Sequence, residues 1–236
     1  MADLEEGSRA TASAPAPVNA PLWLVRHAQP LVAPGTCYGA LDVAADVAAT
    51  RVAAQALADR LPTQALVWCS PLQRCELLAH VLYGLRPDLS YKTDARLAEM
   101  DFGAFEGLRW DHIPAHAYDN WMADFWQHRF GGIESVAMFM TRVASAWHDT
   151  QAAQAASGMP VAQVWITHAG VIRAAHLLAK GVFEVRSAAL WPLDAPAFGQ
   201  WQCVDLVLAS GQGGLLANRF DSRIRSQALG AEGGLA

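Results

Sequence analysis

Arg26 and His27 close a short apolar run, Leu22-Trp23-Leu24-Val25, that is bounded by Pro21 and Pro30. A guanidinium at the end of a strand is a permanent, forked cation that fits phosphate or carboxylate, and an adjacent imidazole is a nucleophile or proton carrier near neutral pH. Taken alone, such a pair more often marks a polar loop entry. Two further apolar runs end in the same chemistry, however. Ala65 to Cys69 leads through Ser70-Pro71 to Arg74, and Val161 to Thr167 leads to His168. The order Arg, His, Arg, His at successive strand ends favours a shared anion site over three unrelated loops.

The elements that must position these groups follow from pattern and punctuation. Strands are expected at Pro21 to Arg26, Ala65 to Cys69, near Tyr91 to Thr93, Val161 to Thr167 and Trp201 to Ala209, each a short apolar or β-favouring run bounded by turn residues. Helices are expected from Val47 to Leu61, with Pro62 as the stop, and from Leu72 to Tyr83, Glu134 to Ala156 and Val171 to Lys180. Ser70-Pro71 fits an N-cap followed by proline at the first helical position, which places Arg74 in a first turn whose free N–H groups favour anions. Strands alternating with helices give an α/β fold: a single domain with a mostly parallel central sheet and helices on both faces. In such sheets the carboxyl ends of the strands face the ligand crevice.

Domain organisation is expected as a disordered, Ala/Pro/Ser-rich tail at 1–20, a domain at 21–218, and a Gly-rich tail at 219–236. The aromatic segment 108–132 is placed as an insertion over the crevice. A net charge of −5 and a pI near 5.9 give no electrostatic footprint for nucleic acid, so an anionic substrate must be captured by a few local arginines. Cys37, Cys69, Cys75 and Cys203 show no zinc spacing, no signal peptide is visible, and no apolar run reaches the roughly 18 to 20 residues of a membrane span. A cytoplasmic protein with reduced thiols is expected.

With these residues in place, the sequence resembles the histidine phosphatase (phosphoglycerate mutase-like) superfamily. The resemblance rests on Leu24-Val25-Arg26-His27, Cys69-Ser70-Pro71-Leu72-Gln73-Arg74, Leu97 to Gly107 and Thr167-His168-Ala169-Gly170, in the family's order over about residues 22 to 180. It implies a phosphohistidine mechanism without metal or cofactor. His27 would attack phosphorus, while Arg26, Arg74 and His168 would hold the phosphoryl oxygens. Glu99 would protonate the leaving group. Gln29, Tyr38 and Gly39 are further substrate-binding candidates, and Glu106, in Phe105-Glu106-Gly107, is assigned to loop structure. The expected partners are a small phosphate ester and inorganic phosphate, without nucleic acid or membrane; a homodimer is compatible with this reading.

Ala28 and Pro30 depart from the family's usual glycine and threonine, restricting this loop while leaving every charged group in place. The stretches Gly35 to Asp42, Glu99 to Gly103 and Gly131-Gly132-Ile133-Glu134-Ser135 are most similar to the α-ribazole phosphatases, which implies α-ribazole 5'-phosphate of cobalamin synthesis as a substrate. Trp110, Tyr118, Trp121, Phe125 and Trp126 suit a pocket for a flat base, although such residues more often fill a core. His112 and His116 are four apart, but Pro114 between them argues against one helical metal-binding face. They are read as lid or surface residues, and His80, His128, His148 and His176 are read as equally bland. A mutase that returns the phosphate and a phosphate-binding member without turnover stand as the alternatives.

Overall fold

The computed structural model describes residues 21–206, residue 158 apart. Both expected tails lie outside these residues, as do positions 207–209 of the last expected strand and 207–218 of the expected domain.

A five-stranded sheet has the order β3-β2-β4-β1-β5, built from β1 (Pro21–Arg26), β2 (Leu66–Cys69), β3 (Tyr91–Thr93), β4 (Gln163–Thr167) and β5 (Trp201–Asp205). The pairings β1/β4, β2/β4 and β2/β3 are parallel, and β5 runs antiparallel along the edge of β1. The sheet is therefore mostly parallel, as expected, with one antiparallel edge strand.

Side-chain alternation along the strands gives each face its own core. Leu22, Leu24 and Trp165 point to the side covered by α4 (Val136–Ala156) and α5 (Ala169–Ala179), where they meet Val143, Trp147 and Leu178. Val25, Val164 and Ile166 point to the other side, beneath α1 (Val47–Ala58) and α2 (Gln73–Leu85), where they meet Leu57 and Leu78. Fully burying one such aliphatic side chain stabilises the fold by roughly 1.5–3 kcal/mol, so the two faces together hold the sheet rigid beneath its carboxyl edge.

Helix boundaries shift from expectation by up to three residues, α5 for example spanning Ala169–Ala179, and two of the shifts have identifiable reasons. α1 ends at Ala58, before Pro62, because residues 59–61 close in a turn in which the Arg60 and Leu61 N–H groups donate to the Leu57 carbonyl. α2 begins at Gln73 with Leu72 as its extended N-cap residue, and Ser70 does not cap it. Its first N–H is satisfied from far along the chain: Gln73 N donates to Asp42 Oδ1 at 2.8 Å, and Gln73 Nε2 donates to the Asp42 carbonyl at 2.7 Å. Arg74 still falls in the first turn. In α4, the Ser135 hydroxyl caps the helix and Glu134 lies just before it.

The aromatic segment divides. Phe125 and Trp126 are buried in the α4/α5 core, whereas Phe130 anchors a separate cluster with Trp110, Tyr118 and Trp121 around it. His112 ends a 3-10 turn (Trp110–His112) and His116 sits in α3 (Ala115–Ala123), with Pro114 as the N-cap residue between them.

Candidate active site

Strand register does most of the assembly. Arg26 is paired with Thr167, so His27 and His168, each one residue further on, emerge side by side from β1 and β4. Their rings lie 5.2 Å apart between centroids. Cys69 pairs with Ile166, which brings Ser70 and then Arg74 to the same edge from β2. The result is a cavity of about 280 Å³ lined by Arg26, His27, Tyr38, Arg74, Glu99 and His168, with Phe102, Trp110 and Arg173 among the remaining wall residues.

His27 is buried and its Nδ1 lies 2.7 Å from the Ala28 carbonyl. A carbonyl only accepts, so Nδ1 carries the proton and Nε2 keeps its lone pair. Burial first, and then the Arg74 cation, push the His27 pKa down to about 3. The ring is thus neutral, and nucleophilic, throughout the neutral range. Ala28 accounts for its departure from glycine: its methyl is buried in the α1/α2 core. The next turn is tied down by Asp46 N donating to the Gln29 carbonyl at 2.8 Å and Leu31 N donating to the Ala44 carbonyl at 2.7 Å.

His168 is the N-cap residue of α5 and is also buried. Arg74 Nε, 3.3 Å away, donates to its Nδ1, which leaves the proton on Nε2 to be donated to Ser70 Oγ at 2.8 Å. Burial, followed by the Arg74 charge, holds its pKa well below the usual histidine value. Both ring nitrogens therefore have protein partners, and donation to a phosphoryl oxygen requires one of these bonds to be exchanged. The Ser70 hydroxyl, in place of capping α2, fixes His168.

Arg74 is fully buried, donating to the Leu41 carbonyl at 2.8 Å and to the Gly39 carbonyl at 2.5 Å. Arg26 donates through Nη1 to the Pro196 carbonyl at 3.0 Å and stacks on the Phe198 ring at 3.9 Å, while its buried Nε has no partner among the described residues. Its pKa is lowered mainly by burial, with Tyr38 and Glu99 opposing that effect.

Glu99 accepts from Gly170 N at 2.9 Å and from Met100 N at 3.0 Å. A methyl group at Gly170 would collide with this carboxylate, so glycine there is a condition of Glu99 standing beside the α5 N-terminus. The loop carrying Glu99 is braced by Arg142, which donates to the carbonyls of Arg96, Ala98 and Glu99 at 2.7–2.9 Å while paired with Glu134 at 2.7 Å. Glu106 accepts from the N–H groups of Gly39, Ala40, Leu41 and Phe102 at 2.8–3.1 Å. It joins the two loops that form the wall and does not line the cavity.

Two substrate-binding candidates are placed elsewhere. Gln29 is exposed and outside the cavity lining, because the turn that follows His27 directs its side chain away from the site. Gly39 is also outside the lining; its carbonyl is taken by Arg74 and its N–H by Glu106. Sequence reasoning missed Ser70, Phe198, Arg142 and Arg173. Of these only Arg173 carried a readable signal, since it follows Ala169 by one helical turn and so shares its face.

The family model for the histidine phosphatase superfamily (branch 1) matches residues 22–194. The chain belongs to this superfamily. A comparison with curated proteins finds none that matches. Among solved structures, a mycobacterial glucosyl-3-phosphoglycerate phosphatase is 23% identical with a TM-score of 0.66, covering 80% of this chain and 91% of that one. The same mycobacterial phosphatase solved with inorganic phosphate is 24% identical at a TM-score of 0.64, over 78% of this chain and 88% of that one. TTHB049 from Thermus thermophilus is 27% identical at a TM-score of 0.55, over 78% of this chain and 93% of that one. These likenesses establish the phosphoglycerate mutase-like fold, and family membership supports phosphatase or phosphotransferase chemistry. They do not single out the α-ribazole branch.

The two neutral histidines have a consequence for stability. In the unfolded chain they titrate near the ordinary value of about 6.5. As the pH falls below 6.5 towards 3, the unfolded state binds protons that the folded state refuses, so stability is lost on acidification through this window. His27→Gln removes one such proton. Between pH 6.0 and 4.5 the variant is expected to lose about 2 kcal/mol less than the parent in urea melts. Identical losses would show that His27 is not held neutral.

Proposed function

We propose that the protein is a phosphomonoesterase that hydrolyses a small phosphorylated metabolite through a phosphohistidine on His27. The observation that carries this reading is a buried, neutral imidazole with Nε2 free, set in one cavity with two arginines that have no carboxylate partner among the described residues. His27 Nε2 attacks phosphorus, and the ester oxygen departs with a proton from Glu99. Water then attacks the phosphohistidine and gives a proton to the Glu99 carboxylate, which releases inorganic phosphate and restores neutral His27. Arg26 and Arg74 offset the charge spread over the equatorial oxygens.

Phosphate release from p-nitrophenyl phosphate, measured with and without EDTA, tests hydrolysis directly. Phosphate binding without release in either condition would sink the hydrolytic reading. Glu99→Gln sharpens the assignment. It is expected to lower kcat about 10²- to 10⁴-fold for an alkyl phosphate, whose alkoxide must be protonated as it leaves, and much less for p-nitrophenyl phosphate, whose phenolate leaves unaided. Equal losses for both esters would remove Glu99 from the acid role.

At the level of substrate, Phe102 and Trp110 in the wall offer flat surfaces, which is the feature favouring α-ribazole 5'-phosphate. A kcat/KM for this nucleotide no higher than for small sugar phosphates would count against it.

A further inference from the structure

The arginines of this fold are held in different ways. Arg86, Arg96, Arg109, Arg142 and Arg186 each rest against a carboxylate at 2.7 Å, and Arg74 is fixed by bonds to Gly39, Leu41 and His168. Arg26 makes one backbone bond, from Nη1 to the Pro196 carbonyl at 3.0 Å, and its buried Nε has no hydrogen-bond partner among the described residues. What fixes its plane is Phe198, whose ring centroid lies 3.9 Å from the guanidinium carbon. The difference matters for an anion site. A carboxylate that holds a guanidinium consumes N–H donors and cancels charge, whereas an aromatic face attracts the cation through its quadrupole and consumes no donor.

The ring is placed by the backbone. Gly199, next in the chain, donates its N–H to the Arg26 and His27 carbonyls at 3.2 and 3.0 Å, and Arg26 N donates to the Gln200 carbonyl at 2.9 Å. Gly199 has a φ of +73°, and a Cβ there would come within 2.8 Å of the Ala53 methyl, so glycine permits the bend that delivers Phe198 to Arg26. Phe198 is half-buried and outside the cavity lining, and its ring centroid is 5.4 Å from that of His27. Cation and nucleophile thus rest on one ring behind the cavity wall. We propose that Phe198 is a positioning residue for phosphoryl transfer that acts through Arg26: its π face holds the guanidinium beside His27 while leaving charge and donors for the phosphoryl oxygens. The proposal rests on the phosphatase reading of the site.

A double-mutant cycle of Phe198→Leu with Arg26→Met, read as inorganic phosphate binding to the full chain by titration calorimetry, tests it. Leucine keeps an apolar side chain and has no π face. Phe198→Leu is expected to weaken phosphate binding about 3- to 30-fold, the range for a partly desolvated cation–π contact, and Phe198→Tyr, which restores the face, to stay within about twofold of the parent. In the Arg26→Met background the same Phe198→Leu change should leave affinity within about twofold, because the group through which the ring acts is gone. A ring that only fills space would lower stability in urea melts and leave phosphate affinity alone. Unchanged affinity in Phe198→Leu overturns the proposal, as does an equal loss in both backgrounds. A second measurement needs no ligand: in ¹⁵N-labelled protein the Arg26 Nε–H should exchange with water faster in Phe198→Leu than in the parent or Phe198→Tyr, and equal exchange in all three also overturns it. A parent that neither binds phosphate nor hydrolyses p-nitrophenyl phosphate defeats the phosphatase reading instead, and the exchange measurement then decides whether Phe198 holds Arg26.

Discussion

Replacing His27 by alanine is expected to lower kcat for phosphate-ester hydrolysis by at least about 10⁴-fold, the scale seen when the nucleophile of a covalent mechanism is removed. No other described group in the cavity offers an equivalent atom. His168, the neighbouring imidazole, has Nδ1 turned to Arg74 and Nε2 to Ser70, so neither nitrogen stands free as His27 Nε2 does. The anion-binding groups survive this substitution, since Arg26 is held by Pro196 and Phe198 and Arg74 by Gly39 and Leu41. Inorganic phosphate should therefore still bind, with an affinity within a few-fold of the parent by titration calorimetry. Residual turnover within tenfold of the parent would mean that another group, or water directly, attacks phosphorus.

The second large effect is expected at Arg74, and it should appear in stability as well as rate. Arg74→Met removes a charge from the cavity wall and leaves the Gly39 carbonyl, the Leu41 carbonyl and His168 Nδ1 without their donor. A loss of about 10³-fold in kcat/KM is expected, at the upper end for one electrostatic donor. A stability loss of about 2–4 kcal/mol by chemical denaturation should accompany it, because hydrogen bonds from a charged donor are worth roughly 1.5–3 kcal/mol each and methionine refills part of the volume. Arg26→Met is the informative comparison. Arg26 makes one backbone bond and stacks on Phe198, so its replacement should cost a similar factor in rate with a smaller loss of stability. If both variants lose only stability, the arginines are scaffolding and the anion site lies elsewhere.

The contrast between these arginines also marks what could be read from the sequence. β1 and β3 occupy the expected residues because proline and turn residues bound them locally, and the parallel sheet followed from their alternation with helices. Arg26, His27, Arg74, Glu99 and His168 share one cavity because each lies at a strand end, in the first turn of the helix that follows a strand, or on a loop above that edge, a relation that topology enforces. Contacts between distant segments escaped the sequence. The cap of α2 comes from Asp42 and not from Ser70, and Arg142 and Glu134 brace the loop of Glu99 from α4 and the residue pair that precedes it. Neither follows from a local pattern, since Asp42 and Arg142 are ordinary surface-type residues until the fold brings their partners near. Gln29 failed for the opposite reason. Its position beside the nucleophile suggested a role, but backbone bonds to residues 44–46 turn the chain so that its side chain leaves the site.

The proposed phosphohistidine would have a specific address. Nδ1 of His27 is committed to the Ala28 carbonyl, so under the proposed mechanism the phosphoryl group is carried on Nε2. Rapid mixing with substrate, quenching without acid and mapping by tandem mass spectrometry, with ³¹P NMR of the denatured, base-stable product to distinguish the two ring positions, should find one phosphate on His27 at Nε2. Phosphate on any other residue, or turnover by an enzyme in which His27 is never phosphorylated, would contradict the account.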